Sequence, residues 1–130
     1  MLFKNEYKTD TKALMAFGVT LAGCSVLLGA FAAHRLRKYL SVNDIAIFQT
    51  GVRYMMWHSI GAICYGIYSE LAATKELWPG WLFILGIFLF SGSLFIISVT
   101  TISWIGMITP VGGICFVIGW IGFLLDILKR

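Results

Sequence analysis

Charge is what this chain has least of. Only 12% of its 130 residues are Asp, Glu, Lys or Arg, against roughly 25% in a soluble domain. Half the usual polar coat is missing, and 59% of the residues are hydrophobic. From Leu77 to Leu125 there is no charged residue at all, a stretch of 49 positions. Lipid rather than water is the expected solvent for most of the surface. Paired carboxylates, phosphate loops and nucleophile motifs are absent, which leaves ordinary hydrolase and kinase readings without support. The cysteines Cys24, Cys64 and Cys115 are far apart inside apolar runs. That spacing offers no disulfide framework or Cys-based metal site, and free thiols there act as small hydrophobes. Internal repeats and low-complexity segments are also missing.

What is present divides into four apolar stretches. A hydrocarbon core of roughly 30 Å takes about 20 helical residues. The first span is read over 13–33, 21 uncharged residues after Lys4, Lys8 and Lys12. It exceeds the roughly 7–15 residues of a signal-peptide core, so it is read as a retained helix. Its many small residues, such as Gly18, Ala22, Ser25 and Gly29, permit close helix approach and predict that it is the central helix. The second span, 51–72, must fit between Arg53 and Glu70, with 16 uncharged residues between them. The third, 78–99, opens with Trp78, Pro79 and Trp81 at headgroup level. The fourth, 108–128, has Pro110 in its first turn and Thr109 as its cap.

Short connectors give an all-α architecture: four transmembrane helices in an up-down-up-down bundle forming a single membrane domain. A short amphipathic segment at 41–50 is expected at the interface before helix 2, started by Ser41 as cap and Asp44 in the first turn. The formal charge is +4, and the basic residues border apolar runs. Anionic lipid headgroups, not nucleic acid, are therefore the expected partners. Arg35, Arg37, Lys38 and Arg53 are assigned to headgroup contact and topology. Six basic residues on the terminal side against four on the other favour cytoplasmic termini.

The candidate chemistry gathers at the junction of spans one and two. His34 and His58 are the chain's two histidines and the side chains suited to titration or ligation near neutral pH. Setting Arg35 and Arg53 at one interface puts the two imidazoles within roughly 6 Å of each other in depth, leaning together. The candidate polar or ligand site is His34, His58, Gln49, Tyr54, Ser91 and Ser93. No catalytic residue and no metal ligand set is assigned. No cofactor is assigned either, although two histidines are the kind of pair that holds haem. Structural histidines and serines bonded back to their own helix stand beside every functional reading.

Four motifs carry a resemblance. Leu28-Gly29-Ala30-Phe31-Ala32-Ala33-His34, then Phe48-Gln49-Thr50-Gly51-Val52-Arg53-Tyr54 with His58, then Leu89-Phe90-Ser91-Gly92-Ser93-Leu94, then Ile108-Thr109-Pro110-Val111-Gly112-Gly113 with Gly119-Trp120 resemble the domain of unknown function 423 family. These are small bacterial inner-membrane proteins, similar to the animal transmembrane protein 256. Two positions depart from the family pattern: Ala32 stands where the family has glycine, and Met55 where it commonly has glutamine. The resemblance implies a four-helix protein of the bacterial inner membrane and brings no activity, substrate or cofactor. Three readings follow. The first is a non-enzymatic membrane protein that assembles with itself or with a larger membrane complex. The second is a small oligomeric transporter or channel with a His34/His58 polar site. The third is a haem- or quinone-linked redox accessory protein.

Overall fold

The computed structural model describes residues 7–130, so Lys4 and Glu6 of the expected polar tail lie outside the described residues. Among the described residues the chain is entirely helical. Helix α1 runs Thr9–His34 and is followed by a 3₁₀ turn at Leu36–Lys38. Helix α2 runs Val42–Leu71. The third hydrophobic stretch is α3 (Trp78–Gly86), a π turn (Ile87–Ser91) and α4 (Gly92–Val99), joined without a break. A 3₁₀ turn at Ser103–Met107 leads to α5, Thr109–Leu128.

The helix ends follow local chemistry. Ser41 caps α2: its Oγ accepts the Asp44 N–H at 3.1 Å and its hydroxyl donates to Asp44 Oδ2 at 2.7 Å. Residues 42–50 continue straight into α2, so the expected separate amphipathic segment is the first turns of one 30-residue helix. At the other end, the Thr74 N–H reaches the Ser69 carbonyl and the Ala73 N–H reaches Glu70. This is a Schellman closure, with Ala73 at φ 51 where glycine is usual. Thr109 does not cap α5: the helix has no side-chain cap bond, and the Thr109 hydroxyl sits 2.5 Å from that of Ser93 instead.

Successive helices pair in antiparallel register, and glycine decides where. In α1 and α2, Gly18 lies against Ile63, Met15 against Gly66, and Gly29 against Val52. Between the third stretch and α5, nearly every glycine seats an aromatic ring. Trp78 lies on Gly122, Phe83 on Gly119, Phe116 on Gly86 and Phe90 on Gly112. Between α2 and the third stretch, Gly51 seats Phe95. A Cβ at Gly112 would meet the Phe90 backbone nitrogen. Hydrocarbon supplies no hydrophobic drive between helices, so such van der Waals fits take its place.

The central helix is α2, not α1. It packs on α1, α3, the π turn and α4, and it reaches α5 through side chains. Its covered face includes Met55, His58, Ser59, Ala62 and Tyr65. Helix α1 touches α2 and a small part of α3, and its small residues are divided between a buried and an open side. The main core joins Leu14 and Leu21 of α1 to Met55, Ala62 and Tyr65, then to Phe83, Ile84, Ile87 and Phe116.

Candidate functional site

His58 is the buried polar centre, with 5% of its surface exposed. Its Nδ1 lies 2.8 Å from the Tyr54 carbonyl, one turn earlier. The Trp120 indole N–H, from α5, donates to its Nε2 at 3.1 Å. A carbonyl only accepts and an indole only donates. The pair therefore fits a neutral ring with its proton on Nδ1. Phe116 stacks on the imidazole, centroids 3.5 Å apart and planes within 11°. Tyr54 lies nearly parallel on the same group, at 14° to His58.

The π turn serves this centre. One extra residue in a turn shifts the face of the following helix by about 100°. Phe90, inside the turn, sits on Gly112 of α5 and 4.5 Å from the Tyr54 ring. Ser91, fully buried, donates to the Gly51 carbonyl of α2 at 2.7 Å. Ser93 donates to Phe90 O and meets the Thr109 hydroxyl. The third stretch is thus pinned to α2 by one serine and to α5 by another.

The structure does not bring the two histidines together. The register of Gly18 with Ile63 and Gly29 with Val52 sets His58 level with Gly23 of α1. His34 lies eleven residues further along α1, about 16 Å at the helical rise, and is exposed. The same register puts Arg53 level with Leu28, seven residues short of Arg35. The assumption that these arginines share one depth fails, and the paired-imidazole site fails with it. Gln49 is half-buried near the start of α2, apart from His58. Tyr54 lies one turn from His58, with its carbonyl on Nδ1, whereas Ser91 is bonded at Gly51 and Ser93 at Phe90 and Thr109, not to the imidazole. Arg35, Arg37 and Lys38 are exposed at the α1–α2 junction, and exposed Arg53 donates to Thr50 Oγ1 at 3.0 Å. Among the described residues no group of three or more His, Cys, Asp or Glu is placed to hold a metal. Cys24 and Cys115 are half-buried and Cys64 is exposed.

Two partners escaped sequence reasoning. Trp120 reads as an ordinary lipid-facing aromatic, yet it supplies half of His58's bonding; its adjacency to Gly119, a contact point, was the signal available. At the opposite end, the fully buried Tyr65 donates to Asp126 Oδ2 at 2.6 Å, with the Glu76 carbonyl 3.0 Å away. Tyr68 donates to the Asp126 carbonyl at 2.9 Å.

These features define a small helical membrane protein. Three helical stretches, Thr9–Lys38, Trp78–Val99 and Ser103–Leu128, are long and apolar enough to cross a membrane. Comparison with known proteins agrees. The profile of a family described as "Protein of unknown function (DUF423)" matches residues 28–113. A UPF0382 membrane protein of Staphylococcus saprophyticus is 37% identical over 118 residues, covering 91% of this chain and 98% of that one. One of Bacillus subtilis is 38% identical over 120 residues, covering 91% and 98%. No solved structure matches the chain. The chain belongs to the DUF423 family of small bacterial membrane proteins, whose function is unknown.

Proposed function

We propose that the chain is a non-enzymatic, multi-pass protein of the bacterial inner membrane that works by assembly, first with copies of itself. In this reading all four hydrophobic stretches cross the bilayer as an up-down-up-down bundle with cytoplasmic termini. The first turns of α2 stand at the headgroup level, beside Arg35, Arg37 and Lys38.

The observation that carries assembly is the open side of α1. Ala16, Thr20, Gly23 and Ala30 recur at helical spacing, with Leu27 between, and all are exposed. They lie opposite the buried Leu14, Gly18, Leu21 and Ser25. A Cβ added at Gly23 meets nothing within 4 Å, so nothing inside the bundle requires glycine there. Small residues on a lipid-facing side favour close approach of another helix. The transporter reading rested on a shared His34/His58 site, which the register separates. A haem held between the two histidines loses support in the same way, since His34 and His58 stand about 16 Å apart along the helices and both nitrogens of His58 are engaged within the protein.

Native mass spectrometry in mild detergent tests this reading. Wild type is expected as an oligomer and Gly23→Leu as a monomer with unchanged helix content. A monomeric wild type, or an unaffected Gly23→Leu oligomer, would refute it. Cysteine labelling at Tyr39 and Lys75 tests the topology: Tyr39→Cys should react with an impermeant reagent on intact cells and Lys75→Cys should not.

A further inference from the structure

Between α2 and α5, with Phe90 of the third stretch also lining it, the surface opens into a groove of about 620 Å³, within the range of about 300–1,000 Å³ usual for small-molecule sites. Tyr54, His58, Phe90, Gly113, Phe116 and Trp120 form its inner wall, and Pro110 also lines it. From Pro110 to Trp120 the groove follows ten residues of α5, about 15 Å. Its outer lip is Ile114, Val117 and Ile118, all exposed apolar side chains of a membrane-crossing helix. Whatever enters must come from the hydrocarbon.

Three observations narrow the occupant. The wall is aromatic rather than merely aliphatic, and ring quadrupoles favour another ring, particularly an electron-poor one. The Tyr54 hydroxyl has no hydrogen-bond partner among the described residues, although Tyr65 and Tyr68 both have one. It is also not sealed away, since among the described residues no buried side-chain polar atom lacks a partner. A phenol O–H in apolar surroundings without an acceptor is costly. Finally, glycine at 113 keeps the groove open: a Cβ there would only touch the Phe90 ring at 3.8 Å, and a larger side chain would project into the space.

We propose that this groove binds a membrane-soluble ligand with a flat, carbonyl-bearing ring and a hydrocarbon tail, the chemistry of an isoprenoid quinone. The ring lies against the aromatic wall, a ring carbonyl accepts the Tyr54 O–H, and the tail runs along α5 beneath Val117 into the bilayer. His58 holds Trp120 in place as part of the wall. The binding is independent of assembly through α1.

The test uses full-length protein in mild detergent, titrated with a 1,4-benzoquinone carrying a ten-carbon tail. Quenching of tryptophan fluorescence is the readout, since Trp120 lines the groove. Saturable quenching is expected, weakened at least tenfold in Gly113→Leu and severalfold in Tyr54→Phe. Tyr54→Phe removes no bond within the protein, so its fold and thermal midpoint should match wild type. Quenching that rises linearly and equally in all three proteins would overturn the site. Equal competition by dioleoyl phosphatidylglycerol would overturn the ring requirement and make the groove an acyl-chain site. Undiminished binding by Tyr54→Phe would overturn the carbonyl contact and the quinone class with it. A monomeric protein that still quenches saturably would refute assembly and leave this site standing.

Discussion

The indole of Trp120 donates to Nε2 of His58 at 3.1 Å, across the contact between α5 and α2. With Tyr54's carbonyl on Nδ1, the imidazole is fully bonded inside a stack of rings. Trp120→Phe should keep the apolar contact with Phe83, whose ring centroid is 4.6 Å away, while leaving Nε2 without a donor. Interhelical hydrogen bonds in membranes contribute about 0.6 kcal/mol on average and up to about 1.7. A loss of about 0.5–1.5 kcal/mol in thermal or denaturant unfolding is expected. A cycle with His58→Leu should show coupling of similar size, since the partners touch directly. Additive effects would mean that the bond contributes nothing.

Two glycines should respond in opposite ways to the same substitution. At Gly112 a new Cβ meets the Phe90 backbone and cannot be accommodated by turning a side chain. Gly112→Ala is expected to cost more than about 3 kcal/mol, the range of severe core overpacking, and to abolish recovery of folded protein. At Gly23 a new Cβ meets nothing. Gly23→Ala should be neutral to stabilising by up to about 1 kcal/mol through helix propensity. Expression level and unfolding midpoint of both proteins decide the matter.

These glycines also mark how far the sequence could be read. Residues 78–99 and 109–128 stand out because lipid-facing helices must be apolar all round, and hydropathy sees that directly. Helix α2 is harder. Neighbours cover much of it, so it carries His58, Ser59, Tyr65 and Ser69 on its buried side and is less hydrophobic than the helices that shield it. Its small polar groups signal centrality, whereas the small residues of α1 look central and are half open. The antiparallel pairing of neighbours followed from short connectors. The register did not, since it depends on which glycine seats which ring. A register error of seven residues, about two helical turns, brings His34 beside His58 when Arg35 and Arg53 are set at one depth. The π turn left no sequence trace beyond Ser91-Gly92-Ser93.

Ser91 is the test of that turn. Its hydroxyl bonds to the Gly51 carbonyl of another helix, unlike Ser59, which bonds back to Met55 in its own. Ser91→Ala should cost about 1 kcal/mol, the net contribution of one buried hydrogen bond. Ser59→Ala should cost less, because the Met55 carbonyl remains in the helical ladder. Comparable losses would show that Ser91 does not pin the third stretch to α2.

The end of α2 offers a stabilising change. Ala73 adopts φ 51, a conformation that costs a residue with a Cβ about 1–2 kcal/mol. It does so because the Schellman closure needs it: the Thr74 and Ala73 N–H groups satisfy Ser69 and Glu70 carbonyls otherwise left unpaired. Glycine relieves the strain but gives the unfolded chain more freedom, an opposing effect of about 0.4–1 kcal/mol. The balance favours Ala73→Gly by about 0.5–1 kcal/mol. Ala73→Val should lose stability, because a β-branched side chain resists this backbone more than alanine does. Paired unfolding curves check the order glycine, alanine, valine. A valine protein as stable as wild type would mean that the turn does not hold residue 73 in the left-handed region.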